Sequence, residues 1–333
     1  MLRSPSRGRW IQLAVGVALS VGLIWYAFRA TPFRDVWSRM ATMHRWPMFM
    51  AVILATLPFV LRVPRWSLLL RHEDGRPIRR RHLWQAIAMG FAGNNTLPFR
   101  LGEVLRMGAI SRLAPVPFPS ALGSVAVERV LDALTAIALL SGALIVADLP
   151  AGDLSQRAHL TGILGLALLV GAVAVARWPR LALGPLEALL PTGRVREALI
   201  GIVSRVIAGL AALGDPRRAL PVVGWSLVIW CVNASAFWVA FRAFDIDIGF
   251  AGALILQGAL LIGIALPSTP GYAGVFEAAI WGTLLTLFGV PMEIGLAYAI
   301  AYHVLTFVPI TVLGVHALFT SGLSLRTMRK AAE

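Results

Sequence analysis

Six stretches of this chain, at about 11–29, 47–70, 121–147, 160–176, 220–241 and 295–319, are apolar over nearly the length of a membrane crossing. A spanning helix needs about 20 such residues. Only 14% of the 333 residues are charged, whereas a soluble domain carries about 25% to cover its surface. Much of the surface must therefore face lipid, and inside lipid only helices or closed barrels satisfy their backbone. Runs of this length specify helices.

Two further apolar stretches, 83–112 and 250–288, are each broken near the middle by Pro, Gly and polar residues: GNNTLPFRLGE in the first, LPSTPGYAGVFE in the second. The arm 83–97 reaches only about 22 Å at 1.5 Å per residue, short of a hydrocarbon core of about 30 Å. Both stretches are expected to be re-entrant helical hairpins, although the arms of the second are long enough to span if tilted.

The net charge is +14. Its arginines sit in short segments between the apolar runs, which fits membrane orientation and anionic headgroups rather than nucleic acid. The basic segments are 1–10, 71–82, the base of the first hairpin, 177–219 and 320–333, which puts both termini in the cytoplasm of a bacterium's inner membrane. The segment 29–46 carries four arginines on the outer side and runs against this rule. The N-terminus, with Arg3, Arg7 and Arg9 before an apolar run, looks like a signal peptide. No small-x-small site follows, and the run reads as an uncleaved first helix. Trp10, Trp46 and Trp84 near helix ends read as interface anchors.

The expected fold is a single all-α integral membrane domain over 1–333, with six spanning helices and two re-entrant hairpins. The first half, 11–147, reads helix, helix, hairpin (83–112), helix. A connector, 148–219, holds the span 160–176 and a basic amphipathic segment expected at the inner surface or against the bundle. The remainder of the second half, 220–319, contains the hairpin 250–288. With six spans the halves run in opposite senses, an inverted repeat of the kind transporters use. Leu97-Pro98 then Gly102-Glu103 match Leu266-Pro267 then Gly274 and Glu277.

Charges at membrane depth cost about 2.5–3.5 kcal/mol each and need partners, so their clusters mark candidate sites. The first is Asn94, Asn95, Arg100, Glu103 and Arg106. The Asn pair can bond to backbone freed at Pro98, Arg100 offers a planar fork for phosphate, and Glu103 and Arg106 share a helix face. This set reads as a phosphate-headgroup site or as an internal ion pair closing the hairpin. The second is Glu128, Arg129 and Asp132, where Arg129 can pair with Asp132. It either holds the first hairpin or lines a lipid path. The third is Pro270, Gly271, Gly274 and Glu277. The start of its second arm is a natural anion site. Glu277 is expected to pair with an Arg of the first hairpin or to titrate as a proton carrier. Arg62 and Arg65, around Pro64, and His303 are lesser candidates, the last as a proton relay or a core histidine.

Cys231 stands alone in an apolar run, so neither a disulfide within the chain nor a Cys-based zinc site can form. No P-loop, HExxH, GxSxG or dinucleotide fingerprint is present in the sequence. No cofactor, metal or nucleic acid is expected, and the chain reads as a non-enzyme.

The ordered set GNNTLPFRLGEVLR, ERVLD and PSTPGYAGVFE, followed by Gly289-Val290 and a final helix, resembles the flippase-like transmembrane domain of lysylphosphatidylglycerol synthases, over about 10–320. The resemblance implies a domain that moves lipid between leaflets. It carries over Asn94, Asn95, Arg100, Glu103, Arg106, Glu128, Arg129, Asp132, Pro270, Gly271, Gly274 and Glu277 as translocation residues. In bifunctional members a soluble aminoacyltransferase domain follows. Here the sequence stops at Glu333, so synthase activity is not expected. The usual glycine-rich step after the PG pair is Tyr272-Ala273-Gly274, a bulkier tip.

The expected activity is a flippase or scramblase for a phosphate-headgroup lipid, aminoacyl-phosphatidylglycerol-like, polyprenyl-linked or other. The rivals are a membrane-embedded lipid-modifying enzyme using Glu103, Glu128 and Asp132, and a non-transporting partner of a lipid synthase or glycosyltransferase. Anionic-headgroup lipids are the expected partners; a separate synthase or glycosyltransferase and a homo-oligomer are compatible with the reading.

Overall fold

The computed structural model describes residues 7–97, 101–147, 149, 152–177, 193, 216–265 and 269–323. Among these residues the chain is all helix, with no strand beyond an isolated bridge between Arg71 and Pro77. The helices are α1 (Arg7–Ala30), α2 (Phe33–Thr42), α3 (Arg45–Leu69), α4 (Arg80–Thr96), α5 (Gly102–Leu113), α6 (Phe118–Val146) and α7 (Asp153–Arg177) in the first part. After residue 215 follow α8 (Pro216–Phe241), α9 (Phe250–Ala265), α10 (Val275–Phe288) and α11 (Met292–Ser321).

Among the described residues five helical segments are long and apolar enough to cross a membrane: Arg45–Leu69, Phe118–Val146, Ala219–Phe244, Pro270–Phe288 and Met292–Ser321. Ala14–Arg29 with Phe33–Thr42 makes a sixth if that pair, bent by 85°, is one span. The chain is a multi-pass membrane protein. Large apolar side chains such as Trp25, Phe49, Val146, Leu220 and Phe319 stand exposed along these helices, where only lipid would cover them.

Each expected span lies on a helix to within one residue, but α7, which holds 160–176, is not among the segments that qualify as spans, and two further details differ. Residues 33–42 form a helix rather than an outer loop. Its Phe33 and Trp37 are exposed while Val36 is buried, and the bend of 85° turns it sharply off α1. Arg34 and Arg39 thus sit on an amphipathic helix, a form suited to the membrane interface, which explains basic residues where the charge rule disfavours them. The other difference is the second hairpin, whose returning arm, Pro270–Phe288, qualifies as a full span. The segment 178–215, apart from residue 193, and the residues after 323 lie outside the described residues.

Both broken stretches are antiparallel helix pairs. In the first, Gly90 faces Arg106, and Gly93 faces Gly102 and Leu105. A Cβ on Gly102 would strike the Gly90 carbonyl and Asn94, so the backbones touch, as small residues allow in membranes. In the second, Gly263 faces Val275 and Ala279, and Gly252 faces Phe288. α8 packs most extensively on α3, and α11 on α4. One apolar core joins α3, α8, α9, α10 and α11 around Phe237, Phe241, Leu256, Ile280 and Tyr298. Another joins α3, α4, α5 and α6 around Trp66, Leu83, Ile87, Ile110 and Val125.

Candidate functional site

Between α3, α5, α6 and α8 the bundle encloses a network of charges. α3 contributes Arg62 and Arg65, one turn apart about Pro64. α5 contributes Glu103 and Arg106, and α6 contributes Glu128, Arg129 and Asp132. Arg65, Arg106 and Glu128 are at most 1% exposed, and Asp132 is 5% exposed.

Glu128 is the hub. Arg106 holds it with a bidentate fork, Nη1 to Oε1 at 2.8 Å and Nη2 to Oε2 at 2.9 Å. Arg62 Nη1 donates to Glu128 Oε1 at 3.2 Å and to Asp132 Oδ2 at 3.1 Å. Arg65 Nη1 donates to Asp132 Oδ1 at 2.6 Å and to Ser226 Oγ of α8 at 3.1 Å. Its Nη2 lies 3.2 Å from Glu128 Oε1 but is not aligned to donate. Trp230 of α8 donates its Nε1–H to Asp132 Oδ1 at 3.2 Å. The Arg106 guanidinium lies 3.9 Å above the Trp66 ring, a cation–π contact strong in a desolvated site. Trp66 in turn donates to Ser124 Oγ at 3.0 Å.

Arg129 is the outlet of the network. Its side chain is 44% exposed, yet Nη2 lies 3.1 Å from Glu103 and 3.5 Å from Glu128, and Nη1 3.7 Å from Asp132. Among the described residues four arginines here meet three carboxylates, which leaves one positive charge uncompensated among them. The Nε atoms of Arg62, Arg65 and Arg106 are buried without a hydrogen-bond partner, as are Glu103 Oε2 and Asn94 Oδ1. Such orphaned polar atoms point to water or a ligand. Among the described residues no cluster of His, Cys, Asp and Glu is arranged to hold a metal ion; arginines stand between Glu103, Glu128 and Asp132.

The sequence foresaw local pairs that the structure redistributes. Glu103 and Arg106 share a face of α5, but Arg106 reaches across to Glu128 and Glu103 to Arg129. Two interhelical pairs bury their charges more fully than one pair along a helix surface. Arg129 does lie near Asp132, at 3.7 Å, its longest contact in the network. Asn95 Nδ2 donates to Thr311 Oγ1 of α11 at 2.9 Å, and the backbone at Pro98 lies outside the described residues. Arg100 lies outside the described residues. Trp230 and Ser226 were not foreseen. Their i,i+4 spacing on α8 is the only trace they leave in the sequence.

The second tip is built differently. Gly271 has φ of 72°, a conformation glycine adopts without penalty. A Cβ there would lie 3.0 Å from Phe307 and 3.3 Å from the Asn95 carbonyl oxygen. The two hairpin tips therefore touch. Gly274, at φ of 85°, sits against the backbone of Ser20 in α1, where a Cβ would be 2.7 Å from its carbonyl oxygen. Pro270 opens the short 3-10 turn Pro270–Tyr272.

Among the described residues Glu277 pairs with no arginine, and Arg100 of the first hairpin lies outside them. Glu277 Oε2 accepts from the Gly274 N–H at 2.6 Å, and its Oε1 lies 2.6 Å from His303 Nδ1. The carboxylate thus takes a backbone donor that the sequence suggested for an external anion. His303 is neither isolated nor a plain core residue: its ring stacks on Phe276, with centroids 3.9 Å apart.

A family profile described as the lysylphosphatidylglycerol synthase TM region matches residues 13–314. The chain is also 27% identical over 320 residues to a protein named glycosyltransferase AglD from Haloferax volcanii, across 85% of this chain and 50% of that one. The chain spans about half the length of this curated relative.

Proposed function

The chain belongs to the lysylphosphatidylglycerol synthase transmembrane-region family, and from that premise we propose that it is a flippase or scramblase for lipids with a phosphate headgroup. The observation that carries the reading is the buried network in which four arginines face three carboxylates. An uncompensated positive charge inside a bilayer is costly, and the anionic headgroup of a passing lipid neutralises it. Arg129, half exposed at the edge of the network, receives the phosphate. Arg62, Arg65 and Arg106 stay clamped by Glu128 and Asp132, so their field is fixed in advance. Glu103 releases Arg129 as the headgroup arrives. The acyl or prenyl tails remain in the bilayer throughout, and the chain makes and breaks no covalent bond.

The reading includes an inverted repeat with two re-entrant hairpins in an inner membrane, both termini cytoplasmic. Packing supports the repeat. Exchange α1 with α7, α3 with α8, α4 with α9, α5 with α10 and α6 with α11, and neighbours map onto neighbours. α4 on α11 answers to α9 on α6, α3 on α4 to α8 on α9, and α3 on α11 to α8 on α6. α4 on α5 answers to α9 on α10, α5 on α6 to α10 on α11, and α3 on α8 maps to itself. The exceptions are α6 on α7, which is answered by α11 on α2, the continuation of α1, and α1 on α10, which α7 on α5 does not answer. Broken elements meeting at their tips are where such repeats bind their cargo, and Gly271 against Asn95 supplies that meeting.

A second reading draws on the likeness to a protein named a glycosyltransferase. In it the chain is a membrane partner that presents a lipid to a transferase and moves nothing alone. Purified protein in vesicles of labelled phosphatidylglycerol, read by dithionite quenching, separates the two. Quenching beyond the outer-leaflet share, lost in Arg129→Gln, is the result expected of a flippase. Absence of excess quenching across anionic, aminoacylated and polyprenyl lipids favours the partner reading.

A further inference from the structure

Glu277 and His303 form the one carboxylate–imidazole pair among the described residues that lies inside the bundle. Their side chains are 15% and 12% exposed, and Nδ1 and Oε1 are 2.6 Å apart. Neither residue belongs to the arginine network. Both carboxylate oxygens are committed, one to the ring and one to the Gly274 N–H, which fixes the group at the first turn of α10. A cavity of about 140 Å³ opens onto it, lined by Leu23, Ile24, Ala273, Gly274 and Trp281. The pair therefore joins three elements at one point: the second tip, α1 through Gly274 and Ser20, and α11 through His303.

We propose that this pair is a proton-binding site, and that passage of an anionic headgroup past the touching tips is coupled to its protonation. With the ring neutral, Nδ1–H donates to the carboxylate and the pair carries one negative charge. A proton from water adds to Nε2, the ring becomes an imidazolium, and the pair becomes neutral. No other reactant is needed. The negative form repels an anionic headgroup at the tip, and the neutral form admits it. Coupling to lipid passage rests on the reading of the chain as a lipid carrier; the proton site itself does not.

Among the described residues no other charged side chain pairs with Glu277 or His303. α1 presents Ser20 beside Thr269 and Tyr26 beside Trp281, while Arg29 stacks on Trp25 at the end of α1. α9 carries no ionisable residue and only Gln257 as a polar side chain. The turn before α10 holds Thr269 and Tyr272, and α11 holds Tyr298 and Tyr302 as phenols. Glu293 of α11 faces Arg39 at 4.0 Å, and His316 is more than three turns further along. α4 offers Asn94 and Asn95 at the tip, with Arg80, Arg81 and His82 at its far end.

Two measurements test the proposal. The first follows exchange of labelled phosphatidylglycerol in vesicles at about pH 5.5 and about pH 8, for the natural chain, Glu277→Gln and His303→Gln. Glutamine at 277 retains an oxygen for the Gly274 N–H. Exchange at the lower pH should be at least about fivefold faster in the natural chain, the low end of ordinary coupling between sites, and the ratio should fall to about one in both variants. Exchange with the same pH ratio in all three overturns the proposal. The second uses nitrogen-15 histidine NMR in nanodiscs, with His303→Gln to assign the ring. Passage of His303 from the neutral Nδ1–H form to the cation across that range is expected. A ring that stays in one form overturns the proton site, whether or not lipid moves. Absence of lipid exchange at every pH with a titrating ring refutes the carrier reading and with it the coupling, and leaves the proton site standing.

Discussion

Arg106 grips Glu128 with both terminal nitrogens, at 2.8 and 2.9 Å, where neither side chain is more than 2% exposed. Arg106→Met removes the grip and leaves Glu128 to Arg62, Arg65 and Arg129. Breaking a buried pair costs about 3–5 kcal/mol, so this variant should express poorly and melt well below the natural chain in detergent. Arg106→Lys keeps the charge but not the planar fork or the stack on Trp66, and should fall between them. Equal melting of all three would show that the fork contributes nothing to folding.

Arg129 should behave in the opposite way. With its side chain 44% exposed, its ion pairs contribute about 0–1 kcal/mol to stability. Arg129→Gln should therefore melt close to the natural chain while lipid exchange is lost. A variant that is both stable and fully active would remove Arg129 from the path of the headgroup.

Gly102 is the closest backbone approach of the first hairpin. An added Cβ would strike the Gly90 carbonyl and Asn94, whereas Gly224 on α8 has nothing within 4 Å of such an atom. Overpacking costs about 1–3 kcal/mol, and more where backbone must move. Gly102→Ala should thus lower the melting temperature and separate α4 from α5, while Gly224→Ala should be close to neutral. Crosslinking between α4 and α5 through paired cysteines gives the direct check.

The helices, both breaks and most of the charged residues of the network were legible in the sequence, because apolar runs and prolines act locally. Partner choice was not. Glu103 and Arg106 obey the i,i+3 rule on paper, yet in a bilayer the deeper and drier position beside Glu128 wins, and that position exists only once α5 and α6 are packed. Trp230 and Ser226 were invisible because a tryptophan and a serine in an apolar helix read as filler until Asp132 and Arg65 are opposite them. The partner of Glu277 was hidden for a related reason: His303 is 26 residues away on the next helix. The helix at 33–42 was hidden by its length and by the arginines that made it look like a loop.

At the base of the first hairpin, outside the membrane-spanning segments, burial and then the nearby Arg79, Arg81 and His72 hold the His82 imidazole below its ordinary value. The folded protein therefore binds fewer protons there than the unfolded chain as pH falls through the usual histidine range, near 6.5. The sign follows: stability contributed by neutral His82 is present above that range and is lost on acidification. The effect should be small, because the side chain is only partly buried. His82→Asn should flatten a modest loss of melting temperature between about pH 7.5 and 5.5. Unchanged acid sensitivity in the variant would assign that loss to other groups.

Trp230 and Ser226 tie α8 to the charge network through different atoms of one pair: Trp230 donates to Asp132 Oδ1, and Ser226 accepts from Arg65 Nη1, which itself donates to that same Oδ1. Trp230→Phe removes a hydrogen bond to a carboxylate, worth about 1.5–3 kcal/mol. Ser226→Ala removes an acceptor from a guanidinium nitrogen that keeps its carboxylate, and should cost less. Because both act on the Arg65–Asp132 pair, the double variant should depart from the sum of the single ones by more than about 0.5 kcal/mol, as residues within one network do. Thermal melts of the four proteins in detergent measure this. Additivity would mean that α8 merely lies against the network and does not hold it.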